Sequence, residues 1–384
     1  MMRVLGLMSG TSVDAIDAAV VDLADDGSLT VVDHREVAWD PALRERILAV
    51  LPPALIGVGE VCALEQEIGQ AFAEAARTVC DEVEGVEVVS CHGQTVFHWV
   101  ENGRARGTLQ WGDPAWIAEA TGLPVVSHLR SSDIAAGGQG APLVPILDVM
   151  LFGDRPTAVV NLGGIANVTV VRDGRAVVAG DTGPANCLLD ASIVRATKGA
   201  LTFDRDGELS AGGQVDEVLL ARLLEHPYLA LPLPKSTGRE VFSLAWLDEV
   251  AATLDEQPSQ RDLLATLVEF TCRSLLEQID AHRDADHPIE RLVVSGGGAH
   301  HPGIMARLRS HTDWELDSSD AHGVPGDAKE AVLIALLGWW CVTGRPGVAL
   351  DGSGHSVTGA HHPRVLGRVS DPRVRLSTLP PGVA

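Results

Sequence analysis

The sequence predicts an α/β fold divided into two domains, and three observations carry this prediction. The chain has 384 residues, whereas a single hydrophobic core stops growing at roughly 250 to 300 residues. Short apolar runs typical of strands alternate with segments whose apolar residues recur at helical spacing, which indicates α/β layers. A strand–turn–strand pattern at residues 4–23 returns with the same design at residues 157–171. We therefore expect two related halves, with a binding site in the cleft between them.

The first half is expected to begin with two strands and to continue with helices. A polar turn at residues 9–14 separates the strands, and the helical segments carry apolar residues at every third or fourth position. Asp113 followed by Pro114 suits the start of another helix, because Asp caps free backbone N–H groups and Pro fits the first turn. The expected strands cover residues 4–8, 16–23 and 86–90, the last ending at the polar sequence 91–95, and the expected helices cover residues 41–51, 61–83 and 114–120.

The second half is expected to alternate strands with helices in the same manner. Its hairpin is followed by a strand that runs into a loop at residues 180–184, and Asp181 lies in that loop. Asp327 is expected to cap the last helix and Gly344 to end it, because Gly readily adopts the left-handed conformation that follows many helices. The remaining expected elements are helices at 261–280 and 328–343 and a strand at 292–294.

The charge balance excludes two classes of partner. Lys and Arg number 29 against 52 Asp and Glu, which gives a formal net charge of −23. Such an acid excess repels nucleic-acid phosphates and anionic lipid head groups, so we expect no nucleic-acid partner and no membrane partner. The six cysteines form no CxxC pair, which argues against a disulfide framework and a zinc site. Because the apolar blocks are shorter than the roughly 20 residues that span a bilayer, we expect a cytoplasmic protein.

The glycine content points to an anion site. The 40 glycines exceed the usual share of about 7%, and several stand where a strand run ends. Backbone N–H groups in such turns form concave anion sites, for which phosphate is a natural ligand. A single glycine turn usually has no ligand and only reverses the chain, whereas several such turns with Asp, Ser or Thr beside them favour a nucleotide site. The sequence contains neither a P-loop nor a dinucleotide-binding motif. The glycines concerned are Gly10, Gly163, Gly164, Gly180, Gly183, Gly296, Gly297 and Gly298.

Three aspartates stand on these glycine turns. An Asp in such a position can bind Mg²⁺ directly or through water, act as a general base, or only cap the turn. For Asp14 and Asp17 the capping and the Mg²⁺ interpretations stay equally open. Asp181, at a strand end among small residues, favours a chemical role.

A series of short polar motifs follows in one order along the chain. The motifs are GLMSGTSVD at 6–14, SCHGQT at 90–95, LQWGDP at 109–114, DIAAGGQGAPLVP at 133–145, NLGGIAN at 161–167, DTGP at 181–184, PKSTGRE at 234–240, GGGAH at 296–300, DAKEA at 327–331 and SVTGA at 356–360, together with Arg130. In these motifs the chain resembles the anhydro-N-acetylmuramic acid kinase family. The resemblance covers roughly residues 4 to 369.

The resemblance implies a fold and a reaction. The family belongs to the actin, hexokinase and Hsp70-like ATPases, which implies two ribonuclease-H-like domains with ATP and Mg²⁺ in a nucleotide cleft between them. The N-terminal domain is expected at residues 1–133, joined by a segment at about 350–370, and the second at 134–349, with a flexible tail at 371–384. The implied enzyme uses ATP and water to open the 1,6-anhydro ring of anhydro-N-acetylmuramic acid and to phosphorylate O6. The products are N-acetylmuramate 6-phosphate and ADP, in cell-wall (murein) recycling, and a homodimer is implied as well.

The resemblance also implies roles for individual residues. Asp181 is the implied general base, which takes a proton from the water that attacks C1 while O6 attacks the γ-phosphorus. Arg130 and Glu330 match positions that hold the sugar in the family. Their chemistry suits this role, because the planar guanidinium of Arg pairs with a carboxylate and the carboxylate of Glu accepts hydrogen bonds from hydroxyl groups. Thr95 is a further candidate for the same pocket. The implied ATP-binding residues are Gly10, Thr11, Ser12, Val13, Asp14, Ala15, Ile16 and Asp17, with Gly163, Gly164, Gly296, Gly297 and Gly298.

Two departures and two alternatives accompany the resemblance. Ala15 and Ala185 stand where the family has Gly, a residue that tolerates positive φ. One alternative is a kinase for another 1,6-anhydrosugar such as levoglucosan, which would offer Arg130 no carboxylate. The other is a nucleotide-binding sensor or assembly protein, because one fold can host unrelated functions. The presence of Asp181 argues against that second alternative.

Overall fold

The computed structural model describes residues 1–10, 12–282 and 284–372, and the predicted α/β class is confirmed. Thr11 and residues 373–384 of the predicted tail lie outside the described residues. Helices pack on two separate mixed sheets. The strands are β1 (Met2–Ser9), β2 (Ala15–Leu23), β3 (Leu29–Ala38), β4 (Val88–Glu101), β5 (Arg104–Trp111), β6 (Val125–Ser127), β7 (Thr157–Leu162), β8 (Ile165–Arg172), β9 (Arg175–Pro184), β10 (Arg291–Ser295), β11 (Glu315–Ser318) and β12 (Arg368–Ser370).

Several helices begin and end at the predicted signals. Asp113 accepts a hydrogen bond from the backbone N–H of Ala115 at the start of the helix that follows it. Gly344 ends the last helix in the left-handed conformation, with φ of 73°. No helix in the described part of the chain is long and apolar enough to cross a membrane. The α-helices are α1 (Pro41–Val50), α2 (Val58–Glu82), α3 (Pro114–Thr121), α4 (Ser131–Ala135), α5 (Pro145–Phe152), α6 (Asn186–Ala196), α7 (Glu217–Leu224), α8 (Leu244–Ala251), α9 (Gln260–Asp280), α10 (Pro302–His311) and α11 (Lys329–Thr343).

The first sheet has the strand order β12-β6-β4-β1-β2-β3, and β5 pairs with β4 as a hairpin extension. The strands β1, β2 and β3 are antiparallel neighbours, whereas β1, β4 and β6 run parallel. Leu5 and Leu7 of β1 share a buried cluster with Ile68 and Phe72 of α2. Because side chains alternate along a strand, the residue between them, Gly6, faces the opposite side, where α11 packs. The predicted hairpin at residues 4–23 is confirmed.

The second sheet repeats the plan of the first. Its order is β11-β10-β7-β8-β9, with β7, β8 and β9 antiparallel and β7, β10 and β11 parallel. When β5 and the edge strand β12 are set aside, each sheet places its strands in the order third, second, first, fourth, fifth, with the same directions. The predicted relation between the two halves is therefore confirmed, and each half has the ribonuclease-H-like arrangement.

Two compact units follow from the contacts along the chain. One comprises Met1–Leu147, Gly323–Ala349 and the residues from Gly354, and the other comprises Asp148–His322 and Leu350–Ser353. Residues 134–147 and 323–349, which the sequence assigns to the second domain, thus belong to the first unit. For residues 323–349 the reason is that α11 packs against β1, β2 and β4, and residues 134–147 are joined to the same unit by bonds such as that from Gln139 N to Thr358 O. As functional boundaries, the expected divisions at 133/134 and 349/350 stay predictions.

Three local predictions are wrong. The polar sequence 91–95 does not leave the sheet, because Gln94 pairs with Ser9 on one side and with Trp111 on the other. Asp181 lies within β9 rather than in a loop, since it pairs with Asn167 of β8. Asp327 does not cap α11; it lies in a 3-10 turn, Gly326–Ala328, which the backbone itself closes.

Candidate functional site

The turn between β1 and β2 holds the first group of predicted nucleotide-binding residues. Val13 has a φ of 55°, and its N–H donates to the carbonyl of Gly10 over 3.1 Å. Gln94 Nε2 donates to the same carbonyl over 3.0 Å. A buried non-glycine residue with a positive φ is strained and persists only where the surrounding structure fixes it. Val13 and the carbonyl of Gly10 are therefore fixed relative to each other, and the side chains of Ser12 and Asp14 are exposed.

Neither alanine that replaces a family glycine needs a left-handed backbone. The positive φ of the first turn falls on Val13 and not on Ala15, while Ala185 has a φ of −108°. Neither alanine therefore meets the positive-φ strain that glycine would relieve. The sequence did not point to Arg44, whose Nε donates to Val13 O over 2.6 Å and whose Nη2 lies 3.3 Å from Asp14 Oδ1.

Asp17 follows this turn on β2 and lies in an acidic environment. Burial, with the nearby carboxylates of Glu36, Glu330, Asp327 and Asp14, raises the pKa of Asp17 to about 7. Excess negative charge of this kind is relieved when a cation is bound. Within the described residues, however, no group of three or more His, Cys, Asp or Glu side chains is arranged to hold a metal ion. A metal at this turn would need water or phosphate oxygens among its ligands.

Arg130, the predicted sugar-binding arginine, precedes α4 and is held at two points of its guanidinium. Nε donates to His92 Nε2 over 2.8 Å, and Nη1 donates to Gly140 O over 2.8 Å. Nη2 has no hydrogen-bond partner among the residues that the structure describes. The guanidinium therefore has a fixed orientation and unused donors, as bidentate binding of a carboxylate requires.

Glu330, the second predicted sugar residue, stands in the first turn of α11. Its side chain is accessible to solvent, yet the surrounding protein removes enough hydration to raise the pKa of its carboxyl, while the charges of Arg130 and Lys329 act in the opposite direction. Arg130 and Glu330 are thus close enough to influence each other electrostatically. No ion pair joins them within the described part of the chain.

Thr95 lies on β4 beside a β-bulge. The register passes from Thr95 opposite Gln110 to Phe97 opposite Leu109, so Val96 is the extra residue. Bulges of this kind redirect side chains next to functional sites. Gln110 Nε2 lies 3.5 Å from Thr95 Oγ1 and donates to Thr108 Oγ1 over 2.6 Å. The bulge therefore separates the polar side chains of Thr95, Gln110 and Thr108 from the exposed side chains of Phe97 and Leu109.

The second unit carries the other predicted phosphate turn, Gly163 and Gly164, between β7 and β8. The backbone N–H groups of Ala185 and Cys187 donate to Gly164 O, and that of Asn186 donates to Gly163 O. The turn is thus fastened to the beginning of α6. Its carbonyls are engaged by this helix, which fixes the direction of the turn.

Arg239 lies over this turn and was not singled out from the sequence. A Cβ on Gly164 would come within 3.0 Å of two guanidinium nitrogens, Nε and Nη2, of Arg239. The side chain is exposed and has no hydrogen-bond or ion-pair partner among the described residues. Its only signal in the sequence is its place in the motif at residues 234–240. Glycine at 164 is what permits the guanidinium to approach the turn this closely.

The glycines that follow β10 lie beside the end of β7. Gly296 has a φ of 79°, and a Cβ there would meet Asn161 Oδ1 at 2.5 Å. A Cβ on Gly298 would meet Leu162 Cβ at 2.6 Å. Because β7 and β10 are parallel neighbours, their carboxyl ends lie at one edge of the sheet. The structure therefore brings Gly296, Gly297 and Gly298 next to the turn at Gly163 and Gly164.

Asp181 is fixed by contacts on its backbone and its carboxylate. Its N–H donates to Lys235 O over 2.9 Å, and its carbonyl accepts a hydrogen bond from Tyr228 Oη over 2.8 Å. Thr237 N donates to Asp181 Oδ2 over 3.0 Å, while Oδ1 has no hydrogen-bond partner in the described part of the chain. Burial raises the pKa of Asp181, and the bond from Thr237 lowers it by less. This arrangement gives a carboxylate of raised basicity with one oxygen available.

The predicted residues therefore form two groups, one in each unit. The first unit brings together the turn after β1, Thr95, Arg130 and Glu330. The second unit brings together Asp181 and the glycines of both later turns. The residues that sequence reasoning missed are Arg44, His92, Gln94, Tyr228 and Arg239.

Comparisons with known proteins agree with these observations. A model of the family described as anhydro-N-acetylmuramic acid kinase matches residues 2–372. Proteins described as anhydro-N-acetylmuramic acid kinase include one from Streptomyces coelicolor, 48% identical over 97% of this chain and 94% of its own, and one from Rhodococcus erythropolis, 47% identical over 96% and 94%. Another, from Synechococcus elongatus, is 41% identical over 96% and 99%.

Two solved structures give weaker similarities. Component A of (R)-2-hydroxyglutaryl-CoA dehydratase from Acidaminococcus fermentans has a TM-score of 0.43 at 12% identity, covering 86% of this chain and 97% of that one. The ROK hexokinase from Thermus thermophilus has a TM-score of 0.37 at 16% identity, covering 88% and 98%.

Proposed function

Because the chain belongs to the anhydro-N-acetylmuramic acid kinase family, we propose that it opens the 1,6-anhydro ring of anhydro-N-acetylmuramic acid with water and phosphorylates O6 with ATP. The products would be N-acetylmuramate 6-phosphate and ADP, which suits the recycling of cell-wall sugars. The observation that carries this proposal at the level of chemistry is Asp181, a carboxylate with a raised pKa and one oxygen that has no partner among the described residues.

Asp181 acts in this proposal as the general base. Its free Oδ1 takes a proton from water as the water oxygen bonds to C1 and the C1–O6 bond breaks. O6 bonds to the γ-phosphorus, whose bond to ADP breaks. Thr237 holds Oδ2, so only one oxygen is left to accept the proton. A positioned base contributes about 10²- to 10⁴-fold, and in-line placement with charge neutralisation supplies the remainder.

The nucleotide is proposed to bind through backbone amides and through the nearby positive charge of Arg239. Gly10, Ser12, Val13, Asp14, Ala15, Ile16 and Asp17, with Gly163, Gly164, Gly296, Gly297 and Gly298, are the proposed residues. Turns of this kind present N–H groups to phosphates. The guanidinium of Arg239, which lies over Gly164 and has no partner in the part of the chain that the structure describes, supports a phosphate at that turn.

Mg²⁺ is proposed to accompany ATP. When bound, it would neutralise charge that develops on the transferred phosphoryl group. Asp17 is the better candidate to approach it, through water, because burial and the neighbouring carboxylates raise its pKa, and a bound cation would relieve this shift. Asp14, in contrast, lies 3.3 Å from Arg44 and is partly neutralised by it.

The sugar is proposed to bind at Arg130, Glu330 and Thr95. The fixed fork of Arg130 suits the lactyl carboxylate, and the accessible carboxyl of Glu330 suits hydroxyl groups. A homodimer and a cytoplasmic location are proposed on the family resemblance. Analytical ultracentrifugation tests the dimer, because a monomer at micromolar concentration would contradict it.

The proposed reaction is tested by mass spectrometry of products formed from anhydro-N-acetylmuramic acid, ATP and Mg²⁺ in ¹⁸O-water. We expect one ¹⁸O atom in the sugar phosphate, on the C1 hydroxyl, because the oxygen of the attacking water bonds to C1 while O6 receives the phosphoryl group. Unlabelled sugar phosphate, or label only in inorganic phosphate, would contradict the proposal. Preferred turnover of levoglucosan would favour the other anhydrosugar kinase.

A further inference from the structure

The support of Arg130 consists of electrically neutral groups. Its two hydrogen-bond acceptors are an imidazole nitrogen of His92 and the carbonyl of Gly140, both at 2.8 Å. Other arginines of this acidic chain pair with carboxylates; Arg3 lies 2.7 Å from Asp22, and Arg291 lies 2.7 Å from Asp154. Arg130 makes no ion pair among the residues that the structure describes. Its acceptors therefore orient the guanidinium without cancelling its charge.

His92 is held in the tautomer that this bond requires. Arg130 always donates, so His92 Nε2 must carry the lone pair, and Nδ1–H then donates to Gly93 O over 3.1 Å. Burial and the charge of Arg130 lower the pKa of His92 to about 3. The imidazole thus stays neutral throughout the usual assay range. It functions as a fixed acceptor and not as a proton carrier.

The carbonyl of Gly140 is fixed as firmly. Gly140 N donates to Asp133 Oδ2 over 2.7 Å, and Thr358 Oγ1 donates to Asp133 Oδ1 over 2.6 Å. Asp133 is fully buried. The carboxylate of Asp133 thereby bonds to the backbone of the loop at residues 133–140. The group that contacts Arg130 is the neutral carbonyl of Gly140.

The physical consequence concerns which ligand the guanidinium prefers. A carboxylate acceptor adds to its hydrogen bond with a guanidinium a charge–charge attraction that a neutral acceptor does not supply. A carboxylate in place of His92 would satisfy Arg130 and weaken its attraction for a ligand carboxylate. A neutral acceptor adds no negative charge to that of the nearby Glu330, and it leaves the remaining N–H donors for the ligand.

We propose that His92 is a specificity-determining positioning residue, which holds Arg130 through a neutral acceptor so that the site prefers anhydrosugars bearing a carboxylate over neutral anhydrosugars. This inference rests on the proposed role of Arg130 in binding the lactyl carboxylate. His92 acts through Arg130 and does not itself touch the sugar.

The test compares His92→Glu with His92→Gln, two side chains of equal length that differ in charge. The Kd of anhydro-N-acetylmuramic acid is measured by calorimetry, and that of its neutral counterpart without the lactyl group, 1,6-anhydro-N-acetylglucosamine, by competition. We expect His92→Glu to weaken binding of the acid sugar at least about tenfold relative to His92→Gln, since a charged hydrogen bond contributes 1.5 to 3 kcal/mol and 1.4 kcal/mol is tenfold. Binding of the neutral sugar should differ by less than about threefold between the variants.

Two outcomes separate the possible failures. Equal loss for both sugars would mean that His92 has only a structural role, and the inference would be overturned. If Arg130→Gln does not change the ratio of the two Kd values, the proposed role of Arg130 fails, and the inference about His92 that rests on it fails as well. Should His92→Glu not fold, as judged by its melting temperature, His92→Leu replaces it. That variant removes the acceptor and should again weaken the acid sugar selectively; unchanged selectivity would contradict the proposal.

Discussion

At the residue scale, the hydrogen bonds of Asp181 make it suited to a conservative substitution. Oδ2 accepts from Thr237 N, and the backbone is held by Lys235 and Tyr228. An Asn side chain can still accept the Thr237 bond through its amide oxygen. Asp181→Asn should therefore preserve the local geometry while removing the base.

We predict that Asp181→Asn lowers kcat by about 10²-fold or more, the usual contribution of a positioned base, and leaves the Kd of ATP and sugar within about threefold. Single-turnover kinetics and calorimetry measure these quantities. A kcat within a factor of about two of the wild type would contradict the role of the base.

The raised pKa of Asp181 predicts opposite effects of pH on activity and on stability. Because burial raises the pKa of Asp181, kcat/KM should fall on acidification at a pH above the ordinary Asp value of about 3.9. Ionised Asp181 costs folding free energy, so that cost is present above its folded pKa and disappears as the pH falls below it. Asp181→Asn should thus melt no lower than the wild type at pH 8, with the difference vanishing near pH 4. A variant that melts lower at pH 8 would argue against the buried charge.

At the element scale, the close approach of α11 to the first sheet decides where Glu330 stands. A Cβ on Gly6 would lie 2.0 Å from Ala331 O, and one on Gly338 would lie 2.4 Å from Ser90 Cβ. Both contacts are shorter than real Cβ atoms allow. The absence of side chains at these two positions lets the helix lie directly on β1 and β4.

We predict that Gly6→Ala destabilises the protein by about 3 kcal/mol or more, because overpacking against backbone atoms forces α11 away from the sheet. The KM for the sugar should rise more than that for ATP, since Glu330 moves with the helix. Urea unfolding and steady-state kinetics measure both effects. The matched control is Gly59→Ala in α2, where a Cβ would meet nothing within 4 Å. The control should change stability by less than about 1 kcal/mol, and equal losses in both variants would contradict the prediction.

The elements also mark the limit of sequence patterns. The hairpins at residues 4–23 and 157–171 were predicted because alternation and turn residues are local signals. The extension of β4 through residues 91–95 was not, because pairing with β1 and β5 overrides the local preference of Gly and polar residues. The same reason applies to Asp181 in β9.

At the scale of the whole molecule, a net charge of −23 opposes the approach of an anionic nucleotide. Of the lysines, Lys329 is buried, and Lys235 donates to the carbonyls of Tyr228 and Leu229. The long-range field of the protein is therefore repulsive, and binding depends on short-range donors.

We predict that the association rate of MgATP increases about twofold between roughly 20 and 150 mM KCl, because the Debye length falls to about 8 Å and repulsion is screened. Stopped-flow fluorescence with a labelled ATP analogue measures this rate. An uncharged viscogen at matched viscosity is the control. A rate that decreases with salt would mean that local cations, such as Arg239, dominate the encounter.

The sequence by itself determined the α/β class, the paired hairpins, the excess of negative charge and the residues Asp181, Arg130 and Glu330 as candidates. These depend on local periodicity, total charge and short motifs, which are all present in the linear chain. Only the tertiary structure decided that α11 belongs with the first sheet, that Arg239 lies over Gly164 and that His92 holds Arg130. His92 and Arg130 stand 38 residues apart, and no local pattern records a contact that exists only after the strands have paired.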